Sequence, residues 1–147
     1  MRISKGYWLW GLFPSKETFF LNAIKAEVQN KLESPFFQTH ITLAGPYLSI
    51  DKNFLNKLKN FSKYNSVIIL KVDKYDFKQE KFKSIYIKIK NCRSIEELRK
   101  NIYKLKNFNL DNNYFPHISL SYGNHNEKDK IELIAKLPTL NKQIKMS

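Results

Sequence analysis

The sequence predicts an α+β domain in which strands and helices follow one another in two similar passes. Three observations support this class: apolar and polar residues alternate in short segments, apolar residues recur every three to four positions in longer ones, and Gly or Pro separates the segments. Each pass contains strand, helix, strand and helix, with antiparallel pairing between the passes. We expect 1–147 to form a single two-lobed domain, because 147 residues with 42% apolar content can bury one core.

The first half of the chain contains two predicted strands around a helix. An aromatic-rich apolar segment predicts a buried strand over 7–13, and apolar residues spaced four apart predict a helix over 16–32. A short strand is expected over 39–43, and the Gly-Pro pair at 45–46 should end it. Asp51 is a good N-cap for the helix that follows.

The second half begins with a predicted hairpin. Strands over 66–77 and 82–90 are expected to pair. In the first strand the alternation of inward-facing and outward-facing residues is interrupted between Val72 and Tyr75, which predicts a β-bulge. In the second strand the isoleucines should face the core, while Tyr86 faces outward. The remaining predicted elements are a helix that begins with a capping box at Ser94, a strand over 115–122, a helix over 127–137 and a strand-like tail over 142–147.

The overall charge of the chain is strongly basic. A formal charge of +13 and a pI near 9.7 favour an anionic partner such as a nucleotide, RNA or an anionic surface. Only Arg2, Arg93 and Arg99 are arginines, so a lysine-rich solvated surface explains the charge equally well. Cys92 is the only cysteine, which fits a reducing compartment. The apolar run over 7–13 is too short to span a bilayer, and we expect a soluble, cytoplasmic protein.

One short motif occurs twice. His-Ile-Thr-Leu at 40–43 recurs as His-Ile-Ser-Leu at 117–120, in a chain with only three histidines. Residues two apart on a strand point to the same face, so the histidine and the hydroxyl residue of each motif project together, while Ile and Leu project into the core. If the two strands lie side by side, they enclose a pocket with two imidazoles and two hydroxyls: His40, Thr42, His117 and Ser119.

Such a pocket suits phosphoryl transfer to water. Imidazole titrates near neutral pH, so one ring can accept a proton from the attacking water while the other donates one to the leaving oxygen. The hydroxyls of Thr42 and Ser119 can donate to the non-bridging oxygens. Two histidines and two hydroxyls with no nearby carboxylate make a poor Mg²⁺ or Zn²⁺ site, so no metal and no cofactor is expected. A lone strand histidine is usually structural, and the duplication favours the functional interpretation.

Two copies of His-x-Thr/Ser-x are the mark of the two-histidine phosphoesterase superfamily, which this chain resembles. The likeness is greatest to the cyclic phosphodiesterase branch found alongside tRNA splicing, and it extends to the segments 7–14, 36–40 and 116–123. It implies a bilobal α+β fold in which two antiparallel-sheet lobes with outer helices surround a central cleft. It also implies hydrolysis of a nucleoside 2′,3′-cyclic phosphate or ADP-ribose 1″,2″-cyclic phosphate to a monoester.

The same resemblance implies roles for six residues: catalysis by His40 and His117, phosphate binding by Thr42, Ser119 and Tyr122, and substrate binding by Trp10. Phe115, just before Pro116, is a further candidate for substrate binding, on the same grounds as Trp10. The residues themselves support the last three less strongly. Tyr122 lies five positions after His117 and needs a bulge or turn at Ser121 to reach the pocket, and strand aromatics are often core residues.

Two other functions stay open at this point. A two-histidine phosphodiesterase could cleave 2′–5′ oligoadenylate or cyclic oligonucleotide signals with the same two imidazoles. A nucleotide- or RNA-binding module without turnover is the second, although both motifs are intact. We expect a nucleotide or short RNA-derived substrate as the partner of a monomer, with no membrane and no obligate protein partner. His125 is expected to be a solvated loop residue outside both motifs.

Overall fold

The structure is a computed structural model that describes residues 6–64, 67–80, 83–105 and 114–146. Four helices and six strands lie within these ranges, in the order β1 (Tyr7–Gly11), α1 (Ser15–Lys31), β2 (Ile41–Tyr47), α2 (Lys52–Tyr64), β3 (Ile68–Phe77), β4 (Ile85–Ile89), α3 (Arg93–Leu105), β5 (His117–Ser121), α4 (Glu127–Lys136) and β6 (Gln143–Met146). The predicted α+β class is confirmed, and the order of elements follows the two predicted passes.

The six strands form one antiparallel sheet with the order β1-β2-β5-β4-β3-β6. The first pass contributes β1 and β2, the second contributes β5 and β4, and the two halves meet where Ile41 of β2 is the partner of Ile118 of β5. The strand expected in the C-terminal tail is present as β6, which pairs with β3. Ser66, Phe82 and Ser147, which the predicted strands included, lie outside the described residues.

The helices that precede the two motif strands are exchanged between the halves. α1 precedes β2 but packs on β5, and α3 precedes β5 but packs on β2 and β3. One side-chain hydrogen bond accompanies each contact: Gln29 of α1 donates to the Leu120 carbonyl at 3.4 Å, and Arg99 of α3 donates to the Leu43 carbonyl at 2.8 Å. The helix layer therefore ties the two halves of the sheet to each other.

The core lies between this helix layer and the sheet. The apolar residues of both motifs are buried in it, as their alternation predicted: Ile41, Leu43, Ile118 and Leu120. Burying each such side chain contributes roughly 1.5–3 kcal/mol to folding before the loss of chain entropy is subtracted. The polar motif residues are thereby held on the opposite face of both strands.

Several local predictions are confirmed. The Asp51 carboxylate accepts a hydrogen bond from the Phe54 amide at 2.7 Å, as an N-cap does. β3 and β4 form the expected hairpin, with the register shift between Val72 and Tyr75. In the described part of the chain, no helix has both the length and the apolar character needed to cross a membrane.

The predicted end of β2 at the Gly-Pro pair is wrong, because the strand continues to Tyr47. β1 pairs with β2 through Ala44 and Tyr47, which carries the strand past Pro46. Pro46 has no N–H to donate, and β5 requires none at this point, because it pairs with β2 only at Ile41. Gly45 has φ of +126°, and a Cβ there would lie 2.9 Å from the Trp8 ring, so this position needs glycine.

Candidate active site

The two motifs face each other across the strand pair that joins the halves. His40 immediately precedes β2, and His117 is the first residue of β5. Because Ile41 and Ile118 are antiparallel partners, His40 lies across from Ser119 and His117 lies across from Thr42. Each imidazole thus has the hydroxyl of its own motif on one side and that of the other motif opposite. The sequence prediction that these four residues share one face is confirmed.

Both imidazoles are held in the same way. Nδ1 of His40 donates to the Gln38 carbonyl at 2.6 Å, and Nδ1 of His117 donates to the Phe115 carbonyl at 2.8 Å. A carbonyl oxygen can only accept, so the hydrogen of each neutral ring must lie on Nδ1. Nε2 of each ring is then an unprotonated base in the neutral form and a donor in the cationic form. The paired anchors therefore leave both rings able to exchange a proton at Nε2.

A cavity of about 420 Å³ lies over this face. It brings together all seven residues singled out from the sequence: Trp10, His40, Thr42, Phe115, His117, Ser119 and Tyr122. Other described lining residues were not anticipated, among them Trp8, Lys83, Arg99, Tyr103 and Tyr114. His125, the third histidine, is not among the lining residues.

Trp10 covers one face of His40. The two rings are stacked, with centroids 3.6 Å apart and planes inclined by 12°. The register explains the contact, because Trp10 on β1 is the partner of Thr42 on β2, two residues from the histidine. Trp10 is 44% exposed, so one ring can both support the imidazole and present apolar surface to the cavity.

Tyr86 occupies the corresponding position beside His117. It is the β4 partner of Ser119, and its ring centroid lies 5.5 Å from that of His117. The prediction that Tyr86 faces outward is wrong: the residue is 1% exposed, because this face of β4 packs under Phe115 and His117 instead of meeting solvent. Burial raises the pKa of Tyr86 to about 12, so its hydroxyl stays protonated. The ring beside His117 is therefore buried, whereas the ring beside His40 is 44% exposed, although His40 itself is only 6% exposed.

Tyr122 reaches the cavity through an irregularity near the end of β5. Ile85 of β4 pairs with Ser121 and Tyr86 with Ser119, so β5 contains one extra residue there, which is the kind of bulge that the sequence required. β5 ends at Ser121, and the Tyr122 amide donates to the Ser34 hydroxyl at 2.9 Å. The ring stacks on Phe37 with centroids 4.1 Å apart. Burial raises the pKa of the Tyr122 hydroxyl, and a hydrogen bond with the Ser119 side chain opposes that rise. Tyr122 is thereby linked directly to one of the two motif hydroxyls.

The surroundings favour the neutral form of both imidazoles. Burial is the main cause that lowers the pKa of His40, and the ammonium of Lys25 lowers it further. Burial also lowers the pKa of His117, with contributions from Lys83, His40 and Lys78. Each pKa therefore lies below the ordinary 6.5 while the cavity holds no anion.

Lys25 also fixes the chain segment that leads to His40. The residue is buried on α1, and its ammonium donates to the Phe37 carbonyl and lies 4.6 Å from the centre of the Phe37 ring. Thr39 donates in the same region to the Asn22 side chain of α1. These contacts were not predictable from the sequence, because a lysine in a helix normally faces solvent.

His125 is more constrained than expected of a solvated loop residue. Its Nε2 donates to the Glu33 carbonyl at 2.5 Å, and its Nδ1 lies 3.4 Å from the Ser84 hydroxyl. These contacts join the end of α1 to the start of β4, away from the cavity. Over the ranges that the structure describes, no three side chains of the His, Cys, Asp and Glu types come together as metal ligands would.

Comparison with known protein families agrees with this architecture. The family model of the 2′-5′ RNA ligase superfamily matches residues 13–146. The chain therefore belongs to this superfamily of two-histidine phosphoesterases, which confirms the family resemblance of the paired motifs. Comparison with curated proteins gave no match. Membership supports an enzyme with phosphodiesterase-type or ligase-type activity.

Proposed function

We propose that the protein is a metal-independent cyclic phosphodiesterase that opens a ribose cyclic phosphate to a monoester. The substrate class is a nucleoside 2′,3′-cyclic phosphate or ADP-ribose 1″,2″-cyclic phosphate. One observation carries the proposal: His40 and His117 each donate from Nδ1 to a backbone carbonyl two residues earlier, which leaves Nε2 of both rings free for the reaction. Paired acid and base groups in hydrogen-bond reach of one phosphate are what such a hydrolysis needs.

The reaction is an in-line displacement at phosphorus. Water attacks as the neutral imidazole accepts its proton at Nε2, and a new P–O bond forms. The bond between phosphorus and one ribose oxygen breaks, and the cationic imidazole gives its Nε2 proton to that oxygen. The two histidines finish with exchanged protonation states, and solvent restores them before the next turnover.

The hydroxyls serve the non-bridging oxygens. Thr42 and Ser119 lie on the same face as the two imidazoles and can donate to the oxygens on which negative charge is concentrated. Tyr122 is hydrogen-bonded to Ser119 and orients that hydroxyl. Bonds to charged groups are each worth about 1.5–3 kcal/mol, so this set can hold a phosphate without a metal.

The side of the cavity that the tryptophans line suits the nucleoside. Trp8 and Trp10 line it, and each is 44% exposed. A base stacked on an aromatic side chain gains about 1–3 kcal/mol without regard to its identity. Phe115 lies on the other side, against His117 and Tyr86. We therefore expect the nucleoside to lie beside the tryptophans and the phosphate to lie between the histidines.

A second candidate keeps the chemistry and changes the bond. The family description names a 2′-5′ RNA ligase, which favours a 2′–5′ phosphodiester, as in 2′–5′ oligoadenylate, as the alternative substrate. The same imidazoles would act. The leaving group would be the 5′-oxygen of the next nucleoside instead of a ribose oxygen of the cyclic phosphate. A binding module without turnover is the remaining alternative, and it predicts binding of the same compounds with no product.

An assay across substrates tests these candidates together. The panel contains nucleoside 2′,3′-cyclic phosphates, ADP-ribose 1″,2″-cyclic phosphate, 2′–5′ oligoadenylate and cyclic dinucleotides, and products are identified by phosphorus NMR. We expect a monoester from one of the first two. Turnover of 2′–5′ oligoadenylate alone would support the second candidate, and binding without turnover of any compound would overturn both.

A further inference from the structure

Arg99 has an unusual position for an arginine. It lies on α3, is only 6% exposed and still lines the cavity. Its Nε donates to the Leu43 carbonyl at 2.8 Å, its Nη2 donates to the Tyr103 hydroxyl at 3.4 Å, and the guanidinium lies 3.6 Å from the centre of the Tyr114 ring. These three contacts hold the guanidinium in place.

No carboxylate balances this charge. In the described ranges Arg99 forms no ion pair, and its Nη1 makes no hydrogen bond. None of the described cavity-lining residues is Asp or Glu, and Lys83 adds a second cation to the lining. A buried guanidinium without a counter-ion is unfavourable, and the aromatic ring and one carbonyl offset only part of that penalty. An anion from solution is the group that this arrangement lacks.

The other half of the fold shows that the structural role does not require a charge. Gln29 of α1 donates to the carbonyl of Leu120, three residues after His117, just as Arg99 donates to the carbonyl of Leu43, three residues after His40. Gln29 does not line the cavity, whereas Arg99 does. A neutral side chain therefore suffices to hold such a carbonyl, and the positive charge at Arg99 needs a different explanation.

We propose that Arg99 forms a second anion subsite, which binds a phosphate group of the substrate other than the one that reacts. The inference rests on the proposed function, because it takes the reacting phosphate to lie between the histidines. The subsite adjoins that position: Leu43 directly follows Thr42, and Tyr114, against which the guanidinium lies, donates to the Thr42 carbonyl at 2.7 Å. Arginine suits a phosphate because its planar fork donates two parallel hydrogen bonds.

The substrate class follows from this placement. A nucleotide with a single cyclic phosphate leaves Arg99 without an anion. A nucleotide that also carries a 5′-phosphate, or one that contains an internal diphosphate, fills both subsites. The protein is therefore selective for nucleotides that carry a phosphate or diphosphate beyond the reacting group over nucleotides that carry the reacting phosphate alone.

Equilibrium binding tests this selectivity without requiring turnover. Calorimetry is used to compare adenosine 3′-phosphate with adenosine 3′,5′-bisphosphate for the 5′-phosphate arm, and with ADP-ribose 2″-phosphate for the diphosphate arm. We expect at least one of these two compounds to bind wild-type protein tenfold or more tightly than adenosine 3′-phosphate. Arg99→Gln, which imitates the other half of the fold, should reduce this ratio to near one, and Arg99→Lys should keep part of it.

The outcomes separate the two proposals. Equal binding of all three compounds to wild-type protein overturns the subsite, whether or not an Arg99 variant folds. A preference that survives Arg99→Gln also overturns the assignment and points to Lys83. Binding of the expected compounds with no hydrolysis of their cyclic forms overturns the proposed function and leaves the subsite intact.

Discussion

Ile41 on β2 and Ile118 on β5 are antiparallel partners, and each directly follows a histidine. This pair is the centre of an approximate two-fold relation between the halves of the chain. On each side of it a histidine donates from Nδ1 to a carbonyl two residues earlier, and an aromatic residue on the adjoining strand lies beside the imidazole. Two imidazoles distant in sequence thereby converge on one cavity.

The two-fold relation does not extend to every residue around the site. Trp10 beside His40 is partly exposed, whereas Tyr86 beside His117 is buried. Arg99 lines the cavity, and its counterpart Gln29 does not. Two similarly placed imidazoles are thus set in an asymmetric cavity, and we expect a bound nucleotide to take one preferred direction.

Replacing either motif histidine should remove nearly all turnover. His40→Ala and His117→Ala each delete one proton-transfer group, and such groups contribute about 10²–10⁴-fold to rates. The measurement is kcat on the substrate that the panel identifies, with circular dichroism to verify folding. His125→Ala is the matched control, because that residue lies outside the cavity lining, and its kcat should stay near the wild-type value. More than a few per cent of wild-type rate in either motif variant would refute the acid–base assignment.

The pH dependence of kcat/KM should be bell-shaped, with its maximum below pH 6.5. One histidine must be neutral and one charged, and burial lowers the pKa of both His40 and His117 in the free protein. Activity should therefore decline as pH rises through 6.5, because the general acid loses its proton. A bound phosphate anion raises both pKa values, so the kcat profile should lie at higher pH than the kcat/KM profile.

Lys25→Met tests whether one limb of the pH profile reports the pKa of His40. The ammonium of Lys25 lowers the pKa of His40, so its removal should move one limb of the bell to higher pH. A profile that rises or falls monotonically in the wild-type protein, or a bell that Lys25→Met leaves in place, would count against the assigned pair.

Removing the Thr42 hydroxyl should slow the reaction without abolishing it. A hydrogen bond to a charged group is worth about 1.5–3 kcal/mol, so Thr42→Ala should lower kcat about tenfold to a hundredfold. Thr42→Ser is the control, because it reproduces the hydroxyl that the second motif carries at Ser119, and it should keep most of the activity. Equal loss in both variants would show that the methyl group, and not the hydroxyl, matters.

Trp10 and Trp8 should differ in the kinetic constant that they affect. Trp10 stacks on His40, so Trp10→Ala should lower kcat as well as affinity, and Trp10→Phe should recover part of both. Trp8 lines the cavity, so Trp8→Ala should raise KM with little change in kcat. Steady-state kinetics on the three variants checks this, and an unchanged kcat in Trp10→Ala would contradict a supporting role for the stack.

The sequence predicted the centre of the site and part of the cavity lining around it. The repeated motif and strand alternation were enough to predict that His40 and Ser119 share a face, because that depends only on the two-residue period of a strand. Asp51 and the bulge after Val72 were likewise local features. What depended on packing between distant elements was missed.

Arg99 and Tyr86 show why those residues were missed. Arg99 sits in an amphipathic helix where an arginine is expected to face solvent, and only the packing of α3 on β2 turns it toward the cavity. Tyr86 lies on the face of β4 opposite the isoleucines, as predicted, but its ring contacts His117 and Phe115 instead of water. The sequence gives the direction of a side chain along its own strand, and the neighbouring elements decide what it meets.

The most direct test of the central claim is phosphorus NMR of the wild-type protein with adenosine 2′,3′-cyclic phosphate and ADP-ribose 1″,2″-cyclic phosphate in excess EDTA. We predict that the cyclic-phosphate signal of at least one compound is replaced by that of a monoester, and that the replacement fails with His117→Ala. A persistent cyclic signal for both compounds, or hydrolysis that appears only after a divalent cation is restored, would contradict the account.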